Sequence, residues 1–560
     1  MSDGRRSLSI LLVSLAIACA AATGCDDDDD SAGLPDGGSF LDAPRSGLFV
    51  MRVVHASPDL PSVDVYVNEE TTPRFSDVSY GDATDFVPAL GREFVLHLRP
   101  AGGSVRTQPL FTSRPLVVPS GSSTSLVATG LFEETTHDKT LRVIPLSDSP
   151  DPVSPGKVRV RVLHGGVDAT RLDVDVDEDG EADVADLDRF EDSGEGGLEL
   201  PAGMLLRVDV TTGDPAAPLT SFSIAPQPDG SEVLMVISGL LGVPPRLPTG
   251  FSLVTANQEG SLGRIRQNAV VYVLNTVADP DGLDVFLDST EKMDSLEFGG
   301  LSERLQVGPE ARSVDIFEST PTSNRPGGTA LVSLPTSGLT AGEQYLVIIA
   351  GPVSPLRGGN PRFRLLPYAE GFEPDEEQLR MRFVHSAPDL SAVDMGPLDA
   401  EGGLPSPADA DDLPFTQATE PEGLPLPPVE FTLGVRASDD PDAVPTEFFI
   451  GPGPLLSAGV FAVLAQAADD VPHLLLVSTA RSPWSIQDIP PGRGPRPVPP
   501  SDDDSDDDFD GDGGEDDGGD AGEDDGGDAG EDDGGGDEDV GDPVEVPEVP
   551  PAPPLPPVIR

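Results

Sequence analysis

Hydrophobic and polar residues alternate at four places along the chain, and the four places are alike. Phe49, Met51 and Val53 share one face in the first, and Val158, Val160 and Val162 in the second, where Arg159 and Arg161 lie between them. Ala269, Val271 and Val273 do so in the third, and Leu379, Met381 and Phe383 in the fourth. A period of two is that of a β-strand with one buried face. Each segment runs into a short turn, such as Ala56-Ser57-Pro58-Asp59 or Ser386-Ala387-Pro388-Asp389, built from residues that fix φ or bond nearby backbone. A second alternating segment follows: Val63, Val65 and Val67, then Leu172, Val174 and Val176, then Leu283, Val285 and Leu287. In the fourth copy Gly396-Pro397 is expected to interrupt it. Later apolar runs, Leu126 to Ala128, Val233 to Ile237, Tyr345 to Ile349 and Val460 to Leu464, predict further strands.

A polar signature is superposed on this pattern. His55, Asp59 and Asp64 are spaced H-x3-D-x4-D, and the spacing returns at His164, Asp168 and Asp173, at Asn275, Asp279 and Asp284, and at His385, Asp389 and Asp394. The copies recur about every 110 residues, far longer than a solenoid or propeller unit. Short strands, Gly/Pro/Asp turns and no sustained helical period predict an all-β chain. It reads as four tandem immunoglobulin-like antiparallel β-sandwich domains, each self-contained, at 48–153, 154–262, 263–372 and 373–490.

The segment "VVHASPDLPSVDVYVN" at 53–68 resembles the opening of the bacterial domain-of-unknown-function family 4397, and "FVHSAPDLSAVDM" at 383–395 resembles it too. The second and third copies keep the spacing and lose the Ser-Pro. The resemblance implies an Ig-like sandwich in exported or surface proteins, and no activity.

Strand parity decides how to read the signature. His55 has the parity of Phe49, Met51 and Val53, so it points inward at a strand end, where it is expected to satisfy the turn. Asp64, between Val63 and Val65, is expected to point outward. Asn275 replaces the His in the third copy. Asn keeps the hydrogen bonds and cannot act as a base at neutral pH, so the signature reads as structural.

A different candidate site lies in the second copy. Asp175, Asp177, Asp179, Asp183 and Asp186 fall at loop positions 1, 3, 5, 9 and 12, with Gly180 at 6 and Glu181 at 7. That is the spacing of a calcium loop, in which alternate oxygens wrap the ion, and it makes calcium the candidate ion. Ala182 at position 8 departs from the pattern, and a strand enters where a helix is usual. The competing reading is a Glu-Asp-Gly hairpin turn in an acidic protein.

Charge and the two termini set the context. The net charge of −65 makes nucleic acid a poor partner and favours cations or basic proteins. The two cysteines, Cys19 and Cys25, both precede the repeats, which therefore stand without disulfides. Arg5 and Arg6 followed by apolar Leu8 to Ala22 read as an export signal over 1–24. Ala22-Thr23-Gly24-Cys25 resembles a lipobox, which would place lipid on Cys25 and give a membrane anchor, with 25–47 as an acidic tether. Residues 491–560, Asp/Gly-rich and then Pro-rich, read as a disordered tail. No G-x-S-x-G elbow, Walker A loop, H-E-x-x-H or dinucleotide-binding glycine pattern occurs. The expectation is a non-enzymatic cell-envelope lipoprotein that displays its domains to an envelope or extracellular protein. The alternative is a secreted enzyme or carbohydrate-binding accessory; low aromatic content with a single tryptophan, Trp484, argues against sugar-stacking platforms in every domain.

Overall fold

A computed structural model describes residues 48–492, apart from 137, 150, 177–179, 213–218, 280–281, 352–362, 374–377, 391, 452–458 and 468–470. Cys25, the export signal, the tether, the tail, Asp177 and Asp179 lie outside the described residues. Within them the chain is all-β, and its one helical turn is the short 3-10 segment Thr336–Gly338.

The first repeat sets the plan. Its strands are β1 (Leu48–Ala56), β2 (Val63–Val67), β3 (Phe75–Val78), β4 (Val87–Leu90), β5 (Glu93–Phe94), β6 (Leu96–Pro100), β7 (Phe111–Thr112), β8 (Leu116–Val117), β9 (Ser123–Thr129) and β10 (Arg142–Ser147). One sheet runs β10-β9-β1-β4 and the facing one β3-β2-β6-β7. The alternating residues of both fill the space between: Met51, Val53, Val65, Leu96, Leu98 and Leu126 are almost fully buried. Each such side chain stabilises the fold by roughly 1.5–3 kcal/mol. The other three repeats build the same two sheets around cores of their own.

Three features go beyond the sequence pattern. The first strand of every repeat pairs in parallel with the late apolar strand, as in Val53↔Leu126, Val162↔Met235, Val273↔Val347 and Phe383↔Ala462, within sheets otherwise antiparallel. Gly396-Pro397 does not break the second strand of the fourth repeat: Ala392–Pro397 is continuous, because Pro397 sits at its last position. The second and fourth repeats each carry a fifth strand on the larger sheet, Gly260–Arg266 and Ser485–Ile489. Gly260–Arg266 pairs with Ser252–Asn257, so the second repeat extends past the expected boundary at 262.

The repeats are not four separate bodies. The outer face of the β10-β9-β1-β4 sheet packs on the matching sheet of the second repeat through Val54, Val127 and Leu146 on one side and Leu163, Val236 and Val254 on the other. Tyr80 reaches across to Ser238 and Ser252, whose hydroxyls lie 3.1 and 3.2 Å from its own. The third and fourth repeats pack in the same way through Tyr272, Leu274, Ile348, Val384, Phe461 and Val463. Trp484, just ahead of the fifth strand, stacks on Tyr272 at 4.4 Å between ring centroids. Each repeat keeps a core of its own, and the four pack further as two face-to-face pairs. First strands such as Val270-Val271-Tyr272-Val273-Leu274 are buried on both faces.

Candidate functional site

The recurring polar signature occupies corresponding positions in each repeat. His55, His164, Asn275 and His385 lie at or one residue before the ends of their strands, fully buried. Each donates its backbone N–H to the turn that leads back into the larger sheet, at Asp82, Glu191, Gly300 and Gln417, and each accepts from the residue before that partner. Gly81, Phe190, Gly299 and Thr416 make that second bond, all at positive φ.

The side chains do equivalent work with different chemistry. Asn275 accepts the N–H of Val277 on Oδ1 and donates Nδ2 to the Leu296 carbonyl, both at 2.9 Å. His385 accepts the N–H of Ala387 on Nδ1 at 3.3 Å and faces the Leu390 carbonyl with Nε2 at 3.2 Å. A carbonyl only accepts, so Nε2 carries the proton and the ring is neutral. His164 likewise accepts Gly166 N–H on Nδ1, and His55 Nε2 faces the Pro61 carbonyl. Burial pushes His385 down to about 4, and burial with the nearby Arg189 charge does the same to His164. His55 is lowered by burial too.

The first aspartate ties the opening turn to the loop after the late strand. Asp59 accepts the N–H groups of Phe132 (2.8 Å) and Glu133 (3.0 Å), and Asp168 that of Gly242 (2.9 Å). Asp389 accepts instead from the side chain of Gln466 at 3.1 Å. Asp279 has no such partner among the described residues.

The second aspartate lies on the outer face of its sheet, as parity predicts, but it is covered rather than solvated: Asp64, Asp284 and Asp394 are each at most 5 % exposed. Opposite each second-strand aspartate the neighbouring strand carries a bulge, where the register slips between Val63 and Val65, Leu172 and Val174, Leu283 and Val285, and Val393 and Met395. The bulge residues Asp77, Asp186, Ser295 and Asp412 stand at φ of +53°, +56°, +51° and +50°. Their N–H groups donate to Asp64, Asp173, Asp284 and Asp394. The other oxygen of Asp64 accepts Gly102 N–H, and that of Asp284 accepts Thr320 N–H, each at 3.0 Å. In Asp394 that oxygen takes Arg436. A carboxylate at this point compensates a left-handed residue that lacks a regular ladder partner. Three of the four bulge residues are aspartates, but they follow the second-strand aspartate at 13, 13, 11 and 18 residues, so no fixed spacing marked them in advance.

A family model described as a domain of unknown function, DUF4397, matches residues 50–175 and 269–396. Over these two spans the chain is similar to DUF4397. Each DUF4397 match opens in the first strand of an odd-numbered repeat and closes in the second strand of the repeat after it. The two matches start about 220 residues apart, one pair of repeats, in step with the fifth strands that mark every second repeat. No curated protein matches the chain.

Two acidic groups remain around these DUF4397 signatures. In the loop expected to hold calcium, Asp175 Oδ2 accepts Gly180 N–H (3.1 Å) and Asp183 Oδ2 accepts Val176 N–H (2.9 Å), as in a hairpin turn. Asp186 departs from the expectation. It is the bulge residue of the second repeat, and its carboxylate pairs with Arg171 at 3.2 Å. Glu181 is exposed on the same loop. Among the described residues the loop's carboxylates form no group of three that could share an ion. Asp284, Glu291 and Asp294 of the third repeat do, with ligand oxygens within 4.8 Å of one another. Two of these three have other demands on them: both oxygens of Asp284 hold backbone N–H groups, and burial raises Glu291.

Proposed function

We propose that this chain is a non-enzymatic, exported protein of the cell envelope, anchored through lipid on Cys25, that displays paired Ig-like domains to a protein partner outside the cell. The observation that carries the reading is the use made of the signature. In all four repeats the His or Asn and the second aspartate hold a turn and a bulge, which leaves the differing loops to serve recognition. That a sandwich array presents loops in this way is an argument from fold.

The test has two arms. Cells fed an alkyne-labelled fatty acid should incorporate it into the wild-type protein and not into Cys25→Ser. Capture from envelope extract with the full chain should recover one saturable protein partner; turnover of an offered substrate, or binding to a glycan array instead, would replace this reading with an enzyme or a carbohydrate-binding accessory. The reading needs no ion. Millimolar calcium, enough to fill a weak extracellular site, is expected to shift the melting temperature by less than about 1 °C. A rise of several degrees would return the Asp175–Asp186 loop to the role of calcium site.

A further inference from the structure

The fourth repeat lacks a plug that the first and second carry. In those two, the loop after the late strand folds over one end of the sandwich core. The signature histidines His55 and His164 pair with Ala128 and Ile237 of the late strand. Four residues further on come Phe132 and Leu241, and both pack against their cores. The first aspartate fixes each loop from outside: Asp59 accepts the N–H groups of Phe132 and Glu133, and Asp168 that of Gly242. One apolar side chain enters the core, and the backbone beside it donates to a carboxylate.

In the fourth repeat His385 pairs with Leu464, so the corresponding residue is Ala468, which lies outside the described residues. Only 467–471 join the two strands there, against 130–141 in the first repeat and 239–251 in the second. Ala467 donates its N–H to the Val471 carbonyl at 3.0 Å, which closes a tight turn. The end of the core is left as a cavity of about 230 Å³ lined by Ala387, Leu390, Val435, Ala443 and Val444. An apolar cavity of roughly 150 Å³ already accepts benzene, so a phenyl ring fits.

Two acceptors line the same cavity. Asp389 is exposed and holds the side-chain amide of Gln466 where its counterparts hold backbone N–H groups. Gln466 Oε1 is buried and has no hydrogen-bond donor. Buried acceptors left without a donor are uncommon in native proteins. Exposed Asp439, Asp440 and Asp442 precede Ala443 at the rim, and Arg436, the one cation among the lining residues, is paired with Asp394.

We propose that this cavity binds an extended segment of a protein partner that supplies what the missing loop would. A phenylalanine or leucine side chain fills the cavity, the backbone N–H groups beside it donate to Asp389 and Gln466, and basic residues on either side meet the acidic rim. The inference rests on the reading of the chain as one that displays its domains to a protein, and it names the place of contact. The first and second repeats do not take such a segment, because their own loops hold the position.

A fluorescein-labelled peptide, Lys-Gly-Leu-Phe-Gly-Lys, titrated with the full chain and followed by anisotropy, tests this. Binding should saturate below about 1 mM. Alanine in place of the phenylalanine should weaken it roughly tenfold or more, as should N-methylation of the phenylalanine and the glycine after it. Asp389→Ala should weaken it about tenfold with the melting temperature unchanged. Should that variant melt lower, the N-methylated peptide on the wild-type chain carries the same test. No saturation, equal binding of the phenylalanine and alanine peptides, or indifference to N-methylation would overturn the proposal. Binding that appears only after residues 501–560 are removed would give the cavity to the chain's own tail, and a sedimenting mass that falls when peptide is added would give it to a second copy; either would overturn it too. The titration needs neither lipid nor the natural partner, so its failure strikes this site alone. A partner captured from envelope extract equally well by wild type and Asp389→Ala would uphold display and reject this cavity as the contact.

Discussion

The contacts within a pair and the contacts between pairs are built from different materials. Inside a pair, two sheet faces meet through valines, leucines and, in the second pair, a Tyr272–Trp484 stack. Between pairs the contact is polar: Gln267 and Asn268 bond to Thr220 and Ser221, Arg207 pairs with Glu310, and Arg246 pairs with the buried Glu370 at 3.0 Å. The first kind of contact needs close packing over an area. The second needs only a few aligned donors, and screening by salt weakens its exposed part. The difference makes the pair the cohesive unit and the junction the place where one unit is attached to the next.

Opening a seam should have the largest effect. Trp484→Ala is expected to cost about 3–5 kcal/mol of the stability of the second pair, measured by circular dichroism in urea, because it removes a large buried ring and leaves a cavity. A loss below about 1 kcal/mol would mean that the seam is incidental. Asp64→Ala comes next, at about 2–4 kcal/mol, since the N–H groups of Asp77 and Gly102 lose their acceptor together. Its cost should fall on the first repeat and leave the melting of the second pair in place.

His385→Asn is expected to keep the fold and to alter its pH response. The folded-state pKa of His385 lies below its ordinary value, so its contribution is complete above about 6.5 and is lost as the pH falls toward about 4. A shift of that size corresponds to about 3 kcal/mol at most. The Asn variant should therefore lose less stability than wild type between pH 6.5 and 4. Burial pushes Glu370 up to about 7 and Asp148 up to about 6. Their contributions run the other way, present at low pH and lost as the pH rises through those values, and they are common to both proteins. Identical pH profiles for variant and wild type would reject the assignment. The smallest effect belongs to the junction: Glu310→Ala, in a half-exposed pair, should cost less than about 1 kcal/mol and show a salt dependence that Trp484→Ala lacks.

Much of a single repeat was legible because its strands obey a period of two, and parity alone placed His55 inward and Asp64 on the opposite face. Parity could not say that Asp64 would be covered, because the residues that cover it belong to a turn and to a bulge that lies at no fixed spacing from the aspartate. The acidic loop departs from its spacing at one described position for a related reason. Asp186 fits position 12 of a calcium loop by spacing, yet it occupies the left-handed bulge that Asp77, Ser295 and Asp412 occupy elsewhere. The pairing of repeats did leave a signal. Val53-Val54 and the run Val270 to Leu274 are apolar on both faces, more than a one-sided sheet requires.

The parallel ladder between the first and the late strand sets the order in which the molecule can form. Val50 meets Ser123, and Val270 meets Gln344, so a repeat closes only when about seventy further residues have followed its first strand. Local hairpins can form earlier, but the central strand of each larger sheet waits for a distant partner, which slows closure. A chain that emerges from its N-terminus must therefore hold each repeat open until its late strand arrives, and each even-numbered repeat then completes a seam for which the preceding repeat has been waiting.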